Sequence, residues 1–327
     1  MGCFIMKKSI ITIILSVMLL LVLCSAVGVK LVEKTELKEE LLKRYEKSEG
    51  EEKNKLKVKI IKNVLTVIDK KYDSDIINDS VLTILQGDVV GDDLTDAVFV
   101  VSMGGKDTVI AVYSKLGSNY TYSGKIDNLF EIKAIQTLEM GEGEKGIIIF
   151  RELADQMLGA YESGVFLRAY KWNGNEFDSV FNVIESYTAY WNELWDKVKS
   201  AEDSYWLNIT QESISNYSAT PTPTVHLKGT QKYLESKKSN LINLPNYNEF
   251  ETKAQRGLLQ TYYWSNKWNN FIIGEGTEVK SGDVVAIIDD LSQEPFSLVE
   301  EDNRYRIKRS DGSISVACKS NIMPIKK

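Results

Sequence analysis

The feature that most constrains this chain is a strand-and-turn unit that occurs twice. Residues 81–85 (VLTIL) read as a strand and an acidic loop follows. Residues 97–103 then open on an unbroken apolar run, AVFVV, as a strand buried on both faces requires. Gly104, Gly105 and Asp107 mark a turn, and residues 108–113 a third strand. Gly117, Ser118 and Asn119 mark another turn before a fourth strand at 120–123. About 50 residues on, the pattern returns. Leu85 and Gln86 are matched by Ile135 and Gln136, and Gly91 and Asp92 by Gly141 and Glu142. Ala97, Val98 and Phe99 are matched by Ile147, Ile148 and Ile149; Tyr113, Gly117 and Tyr120 by Tyr170, Gly174 and Phe177. The growing offset places an insertion near 153–164. The predicted fold class is mainly β with helices (α+β).

The acidic loop, GDVVGDDLTD, places Asp88, Asp92 and Asp96 at alternating positions, and oxygen ligands so spaced suit a hard cation. Loop and strand together resemble the FG-GAP/VCBS repeat of integrin-type β-propellers, in which a Ca²⁺ loop leads into a blade strand. That family writes Asp-x-Asn/Asp-Gly-Asp-Gly-x-x-Asp. Here Asp88, Gly91, Asp92 and Asp96 match, while Val90 replaces a ligand and Asp93 a glycine. The resemblance spans residues 80–185. It implies propeller-blade-like four-stranded units over 76–215, and a Ca²⁺ site of Asp88, Asp92, Asp96 and the Leu94 carbonyl. With those two departures, calcium affinity is expected at about 10⁻⁴–10⁻³ M at best. The residues alone equally support an acidic turn held by carboxylate bonds to backbone amides. The second copy, EMGEGEK at 139–145, carries Lys145 and lacks the first aspartate, so no cation is expected there. A closed propeller needs at least about four blades. Two copies predict a pair of blades packed face to face, with further blades hidden in diverged sequence as the other reading.

Lys7 and Lys8 precede residues 9–29, which carry no charge. A bilayer span needs about 20 apolar residues. The lysines place the N-terminus in the cytoplasm and the bulk of the chain outside, as a single-pass protein of the cell membrane. A cleaved signal peptide is the alternative, with Cys24, Ser25 and Ala26 as an acceptable cleavage site; both routes lead out of the cytoplasm. Residues 30–75 are rich in Lys and Glu and read as two helices. One carries the stripe Leu37, Leu41, Leu42, Tyr45, and the other Leu56, Ile60, Ile61, Val64, Leu65, Ile68, with a break at Ser48, Glu49 and Gly50. Heptads are not sustained, so the second helix is expected to pack on the next domain rather than form a coiled-coil stalk.

The insertion ELADQMLGAYESGVF is too apolar for a solvated loop. Met157 and Tyr161 make it the candidate binding surface, with the capping of an open sheet edge as the other reading. Residues 186–200 are predicted to be a helix docked on the sheet, because Tyr187, Tyr190, Trp191, Leu194, Trp195 and Val198 share a helical face. Alternating prolines make 216–226 the predicted linker. In the C-terminal domain, 227–327, the lysine-rich segment 231–240 reads as helix or loop. Strands are expected at 284–288, 296–300, 304–308, 314–318 and 321–325, with an Asp311-Gly312 hairpin. This layout resembles a small SH3-like β-barrel.

One histidine, His226, serves all 327 residues, which removes His-based zinc sites and argues against Ser-His-Asp or Cys-His catalysis. It is expected on a strand, facing solvent. Of three cysteines only Cys318 falls in a folded domain, so no disulfide framework forms there; Cys318 reads as a small buried residue. The net charge of -6 favours no nucleic-acid partner. The expected function is that of a membrane-anchored, extracytoplasmic binding protein with no catalysis and no required cofactor. Its partners would be the membrane and a protein or a cell-wall polysaccharide or peptide. One alternative is a glycan-acting enzyme, for which Glu185, Glu193 and Asp196 lie near aromatic residues. Another is a structural component of a membrane assembly.

Overall fold

The computed structural model describes residues 36–105, 107–138, 140, 146–157, 161–196, 203–218 and 222–325. The expected membrane span at 9–29 and most of the second acidic loop lie outside these residues. Among the described residues, no helix is long and apolar enough to cross a membrane. The protein is mainly β, as the alternating runs require, and its sheets curl into half-barrels. It divides into two compact units, one ending with Met103 and taking in Val109–Asp127, the other made of Gly104–Thr108 and Asn128–Lys327.

The first unit opens with β1 (Glu36–Lys38), α1 (Glu39–Lys47), α2 (Gly50–Val67) and α3 (Ser74–Asp79). Glu39 and Glu40 sit in the first turn of α1, and Arg44 and Lys47 in the last, so the charges complement the helix dipole. Gly50, at φ 56°, makes the break between α1 and α2 that a side chain would strain. Four strands follow: β2 (Val81–Gly87), β3 (Asp96–Ser102), β4 (Thr108–Leu116) and β5 (Asn119–Leu129). The sheet order is β1-β5-β4-β3-β2, and β1 pairs with β5 at Leu37↔Tyr120. The stripe of α2 docks on this sheet, with Ile60, Ile61 and Val64 fully buried beside Phe99, Val101 and Tyr113. Each such side chain contributes about 1.5–3 kcal/mol by leaving water. The Tyr113 ring meets Phe99 edge-on at 5.2 Å, and its hydroxyl donates to Asn63 Oδ1 of α2 at 3.3 Å.

The second unit holds an eight-stranded antiparallel meander. Its strands are β6 (Glu131–Leu138), β7 (Ile147–Asp155), β8 (Glu162–Trp172), β9 (Phe177–Asn192), β10 (Trp206–Ser218), β11 (Thr224–Ser236), β12 (Phe250–Ser265) and β13 (Asn270–Ile272). Strands β6 to β9 repeat the layout of β2 to β5, and the matched turn glycines, Gly117 and Gly174, both adopt positive φ. The second copy is nevertheless no separate four-stranded unit, because β9 continues straight into β10. The inner face gathers Ile149, Leu167, Phe181, Leu227, Leu258 and Phe271.

Three expectations are corrected here. Residues 186–192 belong to β9, not to a helix. Tyr187 and Trp191 share one face of the strand and Tyr190 takes the other, burial alternates from Val183 to Ala189, and pairing with both β8 and β10 fixes the strand. Residues 231–236 likewise complete β11, hydrogen-bonded on both sides. The described ends of the expected linker at 216–226 lie in strands instead: residues 216–218 of β10 pair with 224–226 of β11, and Val225 and Leu227 are buried in the core.

A five-stranded sheet of order β17-β16-β15-β14-β18 completes this unit, from β14 (Gly274–Glu278), β15 (Val284–Asp290), β16 (Arg304–Lys308), β17 (Ile314–Cys318) and β18 (Ile322–Pro324). Val285, Ile287, Ile307 and Ile322 form its core, and Ile273 packs against both this core and that of the meander. The expected strand at 296–300 is a short 3₁₀ turn, Pro295–Leu298, where proline sets φ and offers no ladder donor. Cys318 is exposed rather than buried, because it lies on the outward side of β17. His226 does face solvent from β11, with Nδ1 3.0 Å from Thr261 Oγ1.

A Cβ at Gly229 would stand 2.2 Å from Glu212 O and 2.4 Å from Ser213 Cβ across the β10–β11 pair. Gly229→Ala is expected to cost about 1–3 kcal/mol or more in chemical denaturation.

Candidate functional site

The acidic loop folds on its own carboxylates. Asp88 Oδ1 accepts from the amides of Gly91 (2.7 Å) and Asp92 (3.3 Å), and its Oδ2 from that of Asp93 (3.0 Å). Asp92 Oδ1 accepts from the Leu94 amide at 3.0 Å. Asp96, fully buried at the start of β3, accepts from Val89 at 2.8 Å and Val90 at 2.9 Å through Oδ2. Asp93 takes the left-handed conformation, φ 61°, at the place where the family pattern has glycine. Burial pushes the Asp96 carboxyl up to about 6, against the pull of its two amide bonds, and Asp92 and Asp88 add to the rise. Its Oδ1 is buried without a partner. Asp92 Oδ2 and Asp96 Oδ1 are thus the side-chain oxygens without a hydrogen bond among the three matched aspartates, whereas Ca²⁺ takes six to eight ligands. Among the described residues, no group of three or more His, Cys, Asp or Glu side chains stands ready to hold a metal ion.

Tyr161 follows the turn after β7, at φ 53°, with its ring 5.7 Å from both Trp195 and Trp206. These rings join Leu234, Phe250 and Tyr190 in a cluster, tied by Trp206 Nε1 donating to Leu241 O at 2.9 Å. Half of Trp195 remains open to solvent. Met157 is half-buried in the turn, its amide donating to Asp155 Oδ1 at 3.1 Å.

A polar cavity of about 160 Å³ lies between the meander and residues 289–295. Phe166, Val183 and Leu227 form its apolar wall, and Asn182, Gln260, Tyr262, Asp289, Glu294 and Arg306 its polar one. A second cavity of about 190 Å³ shares Asn182, Asp289 and Arg306. The Tyr262 hydroxyl donates to Asp289 Oδ1 at 3.2 Å, and Arg306 Nη1 lies 3.3 Å from Asp289 Oδ2. Burial pushes Asp289 up to about 6 although Arg306 and the Tyr262 bond oppose it; Glu294 adds to the rise. Burial also raises Glu294 itself.

The cavity's roof is held by a buried ladder. Gln211, Gln231 and Arg256 pair in register across β10, β11 and β12. Gln231 Nε2 donates to Gln211 Oε1 (2.6 Å) and to Gln293 O (2.7 Å). Arg256 donates through Nη1 to Ser292 O (2.7 Å) and through Nη2 to Glu294 O (2.8 Å). These residues were not singled out in the sequence. Their one signal is a glutamine or arginine at inward positions of strands, where alternation calls for an apolar side chain.

The carboxylates considered for catalysis line neither cavity. Glu185 is held by Arg151 Nε (2.6 Å) and Nη2 (2.9 Å). Burial alone would raise its carboxyl, but Arg151 and Ser215 hold it below the ordinary range. Glu193 Oε2 accepts from the Tyr205 amide at 3.1 Å, and the side chain of Asp196 lies outside the described residues.

No model of a known protein family matches the chain, and no curated protein matches it in sequence.

Two measurements follow from these arrangements. Asp88→Ala strips three amides of their acceptor and is expected to cost about 1–3 kcal/mol in denaturant titration, since each net hydrogen bond is worth about 0.5–1.5 kcal/mol. For Asp289, the raised carboxyl favours the folded state when protonated, fully so below its ordinary value of 3.8, and that contribution is lost as pH rises through about 6. Asp289→Asn should therefore flatten the fall in melting temperature between roughly pH 4 and pH 7.

Proposed function

We propose that this chain is a membrane-anchored, extracytoplasmic binding protein without catalysis, held by residues 9–29 and presenting its β-sheets to a protein or cell-wall ligand. The observation that carries the reading is the cavity beside Asp289. Its polar wall gathers the half-buried Gln260 with Tyr262, Asp289, Glu294 and Arg306, and the exposed Asn182 stands at its rim. The engagement of Glu185 and Glu193 elsewhere favours binding over glycan hydrolysis. In this reading β2–β5 is a blade-like unit of FG-GAP/VCBS type whose strand layout β6–β9 repeats within the larger meander, and β14–β18 an SH3-like barrel. Nucleic acid is no partner, and no cofactor is required. Ca²⁺ binding at Asp92 and Asp96, beside Asp88 and the Leu94 carbonyl, would be of millimolar strength at best.

The full-length protein is expected to stay in the membrane fraction after a carbonate wash, and to be digested by protease added outside wall-stripped cells. Resistance to that protease would overturn the extracytoplasmic placement. Release of fragments from labelled peptidoglycan by the purified protein would replace binding with catalysis.

A further inference from the structure

We propose that the cavity beside Asp289 and Arg306 takes a neutral sugar ring, recognised through its hydroxyl groups. This rests on the binding-protein reading above and names the ligand class for that site. Size is the first argument. About 160 Å³, with about 190 Å³ adjoining across Asn182, Asp289 and Arg306, is well below the roughly 300–1,000 Å³ of sites for drug-sized ligands. Each compartment suits one small ring, and their shared wall suits two rings in succession.

The polar groups give the second argument. Gln260, half-buried on the wall, offers an acceptor oxygen and an NH₂ donor, and Asn182 offers the same pair from an exposed position at the rim of both cavities. Glu294 Oε1 lies 3.5 Å from Arg306 Nη2, too far for a good hydrogen bond, so both groups retain capacity. Donors and acceptors therefore stand side by side on planar side chains. A hydroxyl both donates and accepts, so neighbouring hydroxyls on a ring satisfy such a set. An ammonium group only donates and would leave the Arg306 and amide N–H groups unmet. An anion would meet Asp289 and Glu294 with Arg306 as the one cation on the lining; Asp290, the remaining carboxylate, is already paired with Lys319 at 2.7 Å. The apolar wall is the third argument: the half-buried Phe166, backed by the core residues Val183 and Leu227, offers a surface for the C–H face of a ring, whose edge carries the hydroxyls.

Strand geometry places the key amide. Side chains alternate along β12, so Gln260 faces inward with Leu258 and Tyr262, whereas Gln255 faces outward. Truncating Asn182 or Gln260 removes no bond that holds the fold, so the melting temperature should not move.

The test uses full-length protein in a detergent without a sugar headgroup, titrated calorimetrically with glucose, with N-acetylglucosamine and with soluble N-acetylglucosamine oligomers. Saturable binding is expected, weakened at least about fivefold by Asn182→Ala and by Gln260→Ala and unchanged by Gln255→Ala. Tighter binding of the oligomers assigns the sugar to a polymer such as a wall glycan; equal binding assigns it to free sugar. Sugar binding that both the Asn182 and the Gln260 variant leave intact would overturn this site. Binding of free lysine or glutamate in place of sugars, lost in the same variants, would overturn the ligand class and leave the binding-protein reading standing. Absence of saturable binding by either set would overturn both.

Discussion

The second unit depends on the contact between Arg256 and the carbonyls of Ser292 and Glu294. A guanidinium on an inward strand position must find acceptors, because an unmet buried polar group costs about 1–3 kcal/mol and a charged one more. Arg256 finds them on the turn after β15, and Gln231 adds Gln293 O. The backbone of the small sheet is thereby fastened to the face of the large one. The turn then lays Phe296 against Tyr187 and Trp191, at ring distances of 5.8 and 5.9 Å. Hydrogen bonds of this kind are directional and fix one relative position, where apolar contact alone would tolerate sliding.

That fastening also creates the cavity. The ladder saturates Gln211 and Gln231, so their amides close the structure rather than open it to a ligand. Further along the cavity, Gln260 is half-buried and Asn182 is exposed at the rim, and the wall becomes chemically available there. Structural and candidate binding residues are thus of the same type, and their burial distinguishes them.

The first unit solves a different problem. Its sheet includes a strand, β3, that is buried along nearly its whole length, and α2 covers it with Ile60, Ile61 and Val64. The acidic loop entering β3 is held by Asp88, Asp92 and Asp96 acting as acceptors for backbone amides, a local device built from side-chain carboxylates.

By itself, the sequence determined what is local. Apolar runs, glycine turns and the stripe from Leu56 to Ile68 located β2–β5, β6–β8, the last strands and α2, because period and turn chemistry act over a few residues. Tertiary structure alone decided the rest. From Tyr187 to Trp191 the aromatic spacing matches a helical stripe, and only pairing with the flanking strands β8 and β10 made the segment a strand. The proline-rich stretch reads as a boundary in sequence, but Ser218 pairs with Thr224, so β10 and β11 on either side of it belong to one sheet. The cavity brings Phe166, Asn182, Gln260, Asp289 and Arg306 together from five strands. No local pattern records that meeting, because strand pairing and the Arg256 ladder, not proximity along the chain, bring those side chains to one wall.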